Sequence, residues 1–161
     1  MFWDVPATPL SAAAARGDIA QIRELVRDGA DINARDDMGA TALYWAARGG
    51  HRVGPHQCGT EDPERPAVIA TLLELGADPN LADRRPKGWG RSSGWTPLFV
   101  ALHHAQFKSA QVLLEHGADP NVLSDQGMSA MAMADDEGAP KGIIALLVAK
   151  GFDPQQARRR E

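Results

Sequence analysis

Within the stretch 51–61, His51, His56, Cys58 and Glu61 are of the types that ligate zinc or pair a thiolate with an imidazole. Gly54, Pro55, Gly59 and Pro63 surround them, so the segment reads as a loop that gives no orienting support to a catalytic group. Gly88, Gly90 and Gly94 bracket a sequence like a phosphate-cradling loop, but the third glycine comes one residue late and no strand precedes it. Asp135, Asp136 and Glu137 are consecutive, and three adjacent helical residues cannot all point at one divalent ion. His103, His104 and His116 fall where helices end; imidazolium suits a helix C-terminus for structural reasons alone, and these residues could also donate to a partner or make binding pH-sensitive. No catalytic residue, metal or cofactor is therefore expected, and the question becomes what these side chains are mounted on.

The chain has 161 residues, enough for one domain, which we take as 1–161. It is 43% hydrophobic but only 6% aromatic, so its core must be built from Ala, Leu, Val and Ile, which lets helices approach closely. Seventeen basic against 21 acidic residues, net −4, argue against nucleic acid as the partner. The single cysteine, Cys58, excludes an internal disulfide and suits a reducing compartment, so a cytoplasmic location is expected. Residues Met1 to Arg16 lack a basic n-region, and no apolar run approaches the roughly 18 residues of a membrane span, so neither export nor membrane attachment is expected.

Self-similarity organises the rest. Gly-Ala-Asp recurs at Gly29, Gly76 and Gly117, with a looser copy at Gly151-Phe152-Asp153. Upstream lie Thr8-Pro9-Leu10, Thr41-Ala42-Leu43, Thr96-Pro97-Leu98 and Ser129-Ala130-Met131. The outer spacings are 33 residues and the middle one is 55, so four units result and 22 extra residues sit in the middle. In each unit the Thr or Ser caps a short Ala-rich helix A, as in Leu43 to Arg48 and Leu98 to His104. A second helix B carries an apolar stripe: Ile22, Leu25 and Val26; Ile69, Leu72 and Leu73; Ala110, Leu113 and Leu114; Ile144, Leu147 and Val148. The glycines then end helix B in a positive-φ conformation. No unit buries its stripe alone, so the units must stack, with Ala13, Ala14, Ala46, Ala47 and Ala101 at the close contacts.

Four in-register copies covering about residues 4–154 resemble the ankyrin repeat family, with its Thr-Pro-Leu-His helix, second helix, Gly-Ala-Asp-x-Asn and β-hairpin finger. The resemblance implies an all-α solenoid with repeats at about 4–35, 36–82, 83–123 and 124–154. It also explains His51 as the family's Gly-His position. Ser11, Tyr44, Phe99 and Ala132 stand where the family has His, so a side-chain hydrogen bond of the family is expected to be absent from every unit. The end units are expected to act as caps, with Phe2 and Trp3 covering one side and Arg158 to Glu161 ending the other.

Alignment divides the extra residues between two inserts. Fourteen, Arg52 to Arg65, read as a loop between the helices of unit two. Eight enlarge the finger between units two and three, which becomes Arg84 to Ser93. Family fingers and the exposed side of helix A line a concave binding face, so the finger insert is on the useful side. Arg84, Arg85, Lys87, Trp89, Arg91 and Trp95 combine the residue types enriched at interface hot spots, although a solvated loop whose basic groups neutralise nearby carboxylates would look the same. Arg35, Asp37, Met38, Arg48, His103, His104, Gln126, Met128, Asp136 and Glu137 would complete the face. The basic finger and acidic fourth unit suggest a protein partner of separated charge, which gives orientation and on-rate more than affinity. By resemblance to small ankyrin proteins, the chain is expected to be a monomer that occupies a toxin or enzyme as a stoichiometric inhibitor or immunity-type regulator. A scaffold or targeting adaptor is the alternative, and a metal-dependent or Cys/His enzyme ranks below both.

Overall fold

The computed structural model describes residues 8–49, 62–84 and 93–157. Their helices run α1 (Pro9–Arg16), α2 (Ile19–Arg27), α3 (Ala42–Arg48), α4 (Arg65–Glu74), α5 (Pro97–His103), α6 (Phe107–Glu115), α7 (Ala130–Asp136), α8 (Lys141–Ala149) and the single turn α9 (Pro154–Ala157). Each short first helix starts as its hydroxyl dictates: Thr8, Thr41, Thr96 and Ser129 are extended and accept from the backbone N–H three residues on. Each second helix, from α2 to α8, ends on a glycine with φ between 93 and 98°. The next N–H reaches back across the turn, as from Ala30 to the Leu25 carbonyl and from Ala118 to that of Leu113.

The pairs stack in two layers. Helices α1, α3, α5 and α7 pack in succession on one side, α2, α4, α6 and α8 on the other, and each pair also meets internally. Ala13, Ala14, Ala46, Ala47 and Ala101 are fully buried in the first layer, where their size permits close approach. Between the layers run Leu10, Ile22, Leu43, Ile69, Leu72, Leu98, Leu113 and Leu147 in one continuous core. A second cluster, Ala40, Tyr44, Trp45 and Val100, seals the side toward the fingers.

A polar ladder ties the units together where each second helix ends and the chain sets out toward its finger. Asn33 Nδ2 donates to the Gly76 carbonyl while Asp78 N–H donates to Asn33 Oδ1. Asn80 repeats this with Gly117 and Asp119, and Asn121 with Gly151 and Asp153. The units are therefore held in register by side chains that recur with the repeat.

Two sequence expectations need correction. Arg65 does not end a loop: it opens α4 and is 4% exposed, because its guanidinium finds buried acceptors. In α8 the buried pair is Ile143 and Leu147; Ile144 is half-buried and Val148 is 58% exposed, so the described residues leave it largely uncovered. In the first and third fingers the two sides are joined across the turn by Asp36 N–H to the Ala40 carbonyl and Ser124 N–H to the Met128 carbonyl, and among the described residues one isolated antiparallel bridge pairs Leu123 with Ser129.

Candidate binding face

The fingers are built from the residue that precedes each turn. Asp36 is buried, and its Oδ1 accepts from Met38 N–H and Ala40 N–H, both at 2.9 Å. Its Oδ2 accepts from Trp45 Nε1 at 2.6 Å, which locks the indole of α3 against the first finger. Asp83 does the equivalent work for the second finger by accepting from Trp95 N–H, and Ser124 for the third by accepting from Met128 N–H. The recurrence of Asp36 and Ser124 five residues ahead of Thr41 and Ser129 was the signal for this role; in the enlarged finger the insert hides it.

Neighbouring fingers are bonded to one another. Arg84 N–H donates to the Met38 carbonyl, and Asp125 N–H to the Ser93 carbonyl. Arg35 Nη1 reaches both the Gly39 and Ala82 carbonyls at 2.6 Å, so this arginine is spent on joining the first two fingers. Ser93 Oγ also donates to Asp125 Oδ2. The approach is close enough that Gly39, at φ 67°, has no room for a side chain: a Cβ there would meet the Arg84 backbone nitrogen at 2.7 Å. A groove of about 500 Å³ runs along this ledge between Arg35, Asn80, Asp83, Arg84, Gly94 and Asp125.

The first-layer helices present the remaining candidates. Arg48 lies 5.4 Å over the Trp45 ring at the end of α3. Trp95 meets His103 edge-on at 4.9 Å, and His103 meets His104 at 5.1 Å. His103 Nδ1 lies 3.1 Å from Glu137 Oε1, so the carboxylate orients the ring and links unit three to unit four. The structure thus brings Trp95, His103, His104 and Glu137 together. Met38 and Met128 are half-buried against the core, with their backbones in the turns, and Asp37, Gln126 and Asp136 are exposed. Arg85, Lys87, Trp89 and Arg91 lie outside the described residues, as do Phe2, Trp3, His51, His56, Cys58, Glu61 and Arg158 to Glu161. Among the described residues no group of three His, Cys, Asp or Glu side chains could hold a metal ion, and no helix is long and apolar enough to cross a membrane.

Sequence reasoning missed Arg65. Its Nη1 and Nη2 donate to the Ala14 and Ala15 carbonyls at 2.8 and 2.7 Å, meeting the acceptors left at the end of α1, and its Nε donates to Asp62 at 2.9 Å. Asp62 N–H in turn donates to buried Gln106 of unit three. An arginine at a predicted loop end gave no warning of a link reaching two neighbouring units.

Comparison with known proteins agrees with this architecture. The family model for ankyrin repeats in three copies matches residues 60–158, and the model for many copies matches 10–55. The chain is 35% identical to ankyrin repeat and SOCS box protein 16 of Mus musculus, over 91% of this chain and 31% of the relative. It is 32% identical to ankyrin repeat protein nuc-2 of Neurospora crassa, over 91% of this chain and 12% of the relative. It is 27% identical to ankyrin repeat and SOCS box protein 6 of Homo sapiens, over 96% of this chain and 37% of the relative. The chain thus spans little more than a third, or less, of the curated relatives it matches. Since the match to 60–158 alone covers more than half of the sequence, the chain belongs to the ankyrin repeat family, whose members are in general non-catalytic modules that bind other proteins.

Proposed function

We propose that residues 1–161 act as one recognition unit that grips a single protein partner on the finger side and works by occupancy, as a stoichiometric inhibitor or immunity-type regulator of a toxin or enzyme. The observation that carries this reading is the bonding of finger to finger: Arg84 to Met38, Asp125 to Ser93, and Arg35 across the first two. A ledge fixed before the partner arrives avoids the ordering cost that weakens mobile loops. The protein works as a monomer in the cytoplasm, and Arg84, Arg85, Lys87, Trp89, Arg91 and Trp95 anchor the contact, with the Trp95–His103–Glu137 group beside them.

A second reading is favoured by the relatives. Two are named for a SOCS box beside their ankyrin repeats, and on that analogy the chain is a targeting adaptor that presents its partner to other proteins. Titration of the purified partner separates the two. A 1:1 complex in which the partner's activity falls in proportion to occupancy supports the inhibitor; a 1:1 complex with full activity supports the adaptor. In either case Arg85→Ala combined with Trp89→Ala lowers affinity by about 2 kcal/mol or more at unchanged melting temperature, and equal affinity removes the enlarged finger from the site.

A further inference from the structure

The last residues of the first-layer helices are Arg16 in unit one, Arg48 in unit two, His103 in unit three and Asp136 in unit four, with Arg16 one residue further from its capping hydroxyl than the other three. The charge along this row runs from basic to acidic in chain order. Three of the four are held in place. Arg16 Nη2 donates to Gln21 at 2.5 Å, Arg48 sits over Trp45, whose indole is pinned by Asp36, and His103 is clasped between Trp95 and Glu137. Asp136 is exposed at the acidic end. On the finger ledge Arg84 and Asp125 repeat the same order, and Asp37 is the exception. Exposed charges with no function are usually mobile and mixed in sign; here they are ordered along the stack and oriented by neighbours.

We propose that this row selects a partner segment of split charge, with carboxylates over Arg16 and Arg48 and a basic side chain over Asp136. The reading rests on the protein-binding role proposed above and adds the chemistry of the partner. Adjacent packed helices are about 8–10 Å apart, so the two steps from Arg48 to Asp136 put the complementary charges about 16–20 Å apart, within the roughly 27 Å of an 18-residue helix. Opposed charges at both ends fix the orientation of the segment and disfavour uniformly charged competitors.

The test uses four labelled 18-residue helical peptides, read by fluorescence anisotropy at low ionic strength. One carries Glu in one half and Lys in the other, one has the same composition with the charges alternating, one is all-Glu and one all-Lys at the charged positions. The full chain binds the block peptide at least threefold more tightly than the other three. Arg48→Glu shifts the preference to the all-Lys peptide and Asp136→Lys to the all-Glu peptide, while the double exchange restores the block peptide, bound in the reverse direction. A thermal melt of each variant confirms folding, and Asp136→Lys, at an exposed position, carries the test if Arg48→Glu fails to fold. Equal binding of the block and alternating peptides, or a preference that neither reversal moves, overturns the proposal. Failure of the binding role itself has a different readout, the absence of a 1:1 complex in the partner titration.

Discussion

The joint between units one and two and the joint between units three and four use different chemistry for the same task. At the first, the Arg65 guanidinium is buried and gives its hydrogens to two carbonyls at the end of α1 and to Asp62. At the second, His103 and Glu137 meet with side chains 43% and 33% exposed. A buried charge stripped of its partners is expensive, whereas an exposed pair contributes little and is screened by salt. The contrast teaches that cohesion is concentrated at the first joint, while polar groups at the last joint remain on the surface that a partner would touch.

The sharpest way to break that contrast is Arg65→Ala. It takes the side-chain donor from the Ala15 carbonyl, leaves that of Ala14 with Gly17 N–H alone, strips Asp62 of its guanidinium, and should lower unfolding free energy by about 3 kcal/mol in urea titration. A loss below about 1 kcal/mol would make the two joints equivalent. Next is Trp45→Phe, which removes the indole donor from buried Asp36 and should cost about 2 kcal/mol in the same measurement. Asn80→Ala removes two exposed ladder bonds, to the Gly117 carbonyl and from the Asp119 N–H, for about 1 kcal/mol. Ser109→Ala works in the opposite direction. Among the described residues Ser109 Oγ is the buried side-chain oxygen with no hydrogen-bond partner, so the alanine variant should be more stable by up to about 1 kcal/mol. Glu137→Gln should have the smallest effect, under about 0.5 kcal/mol in the same measurement, because the contact with His103 is exposed.

The layout was legible from the sequence because it repeats. Thr8, Thr41, Thr96 and Ser129 announced the first helices, and Gly29, Gly76, Gly117 and Gly151 the ends of the second, since capping and positive φ are local requirements that residue type reveals. Arg65 was not legible, because what buries it is the end of a helix fifty residues earlier. Val148 misled for the related reason that an apolar residue in the right register still needs a neighbour to cover it. In the site, Arg35 read as a contact residue, yet its hydrogen-bond partners are the carbonyls of two fingers. The pairing of His103 with Glu137 joins residues of two units, and spacing within either unit could not reveal it.

The central claim, that the finger side grips a protein, is tested most directly by binding of the natural partner to two matched double variants. One carries Asp37→Lys and Arg84→Glu, exposed on the first two fingers; the other carries Arg23→Glu and Glu74→Lys, whose exposed side chains belong to the second-layer helices α2 and α4. The account predicts at least a tenfold loss of affinity for the first and less than a twofold change for the second. Undiminished binding by the first together with loss in the second would contradict it.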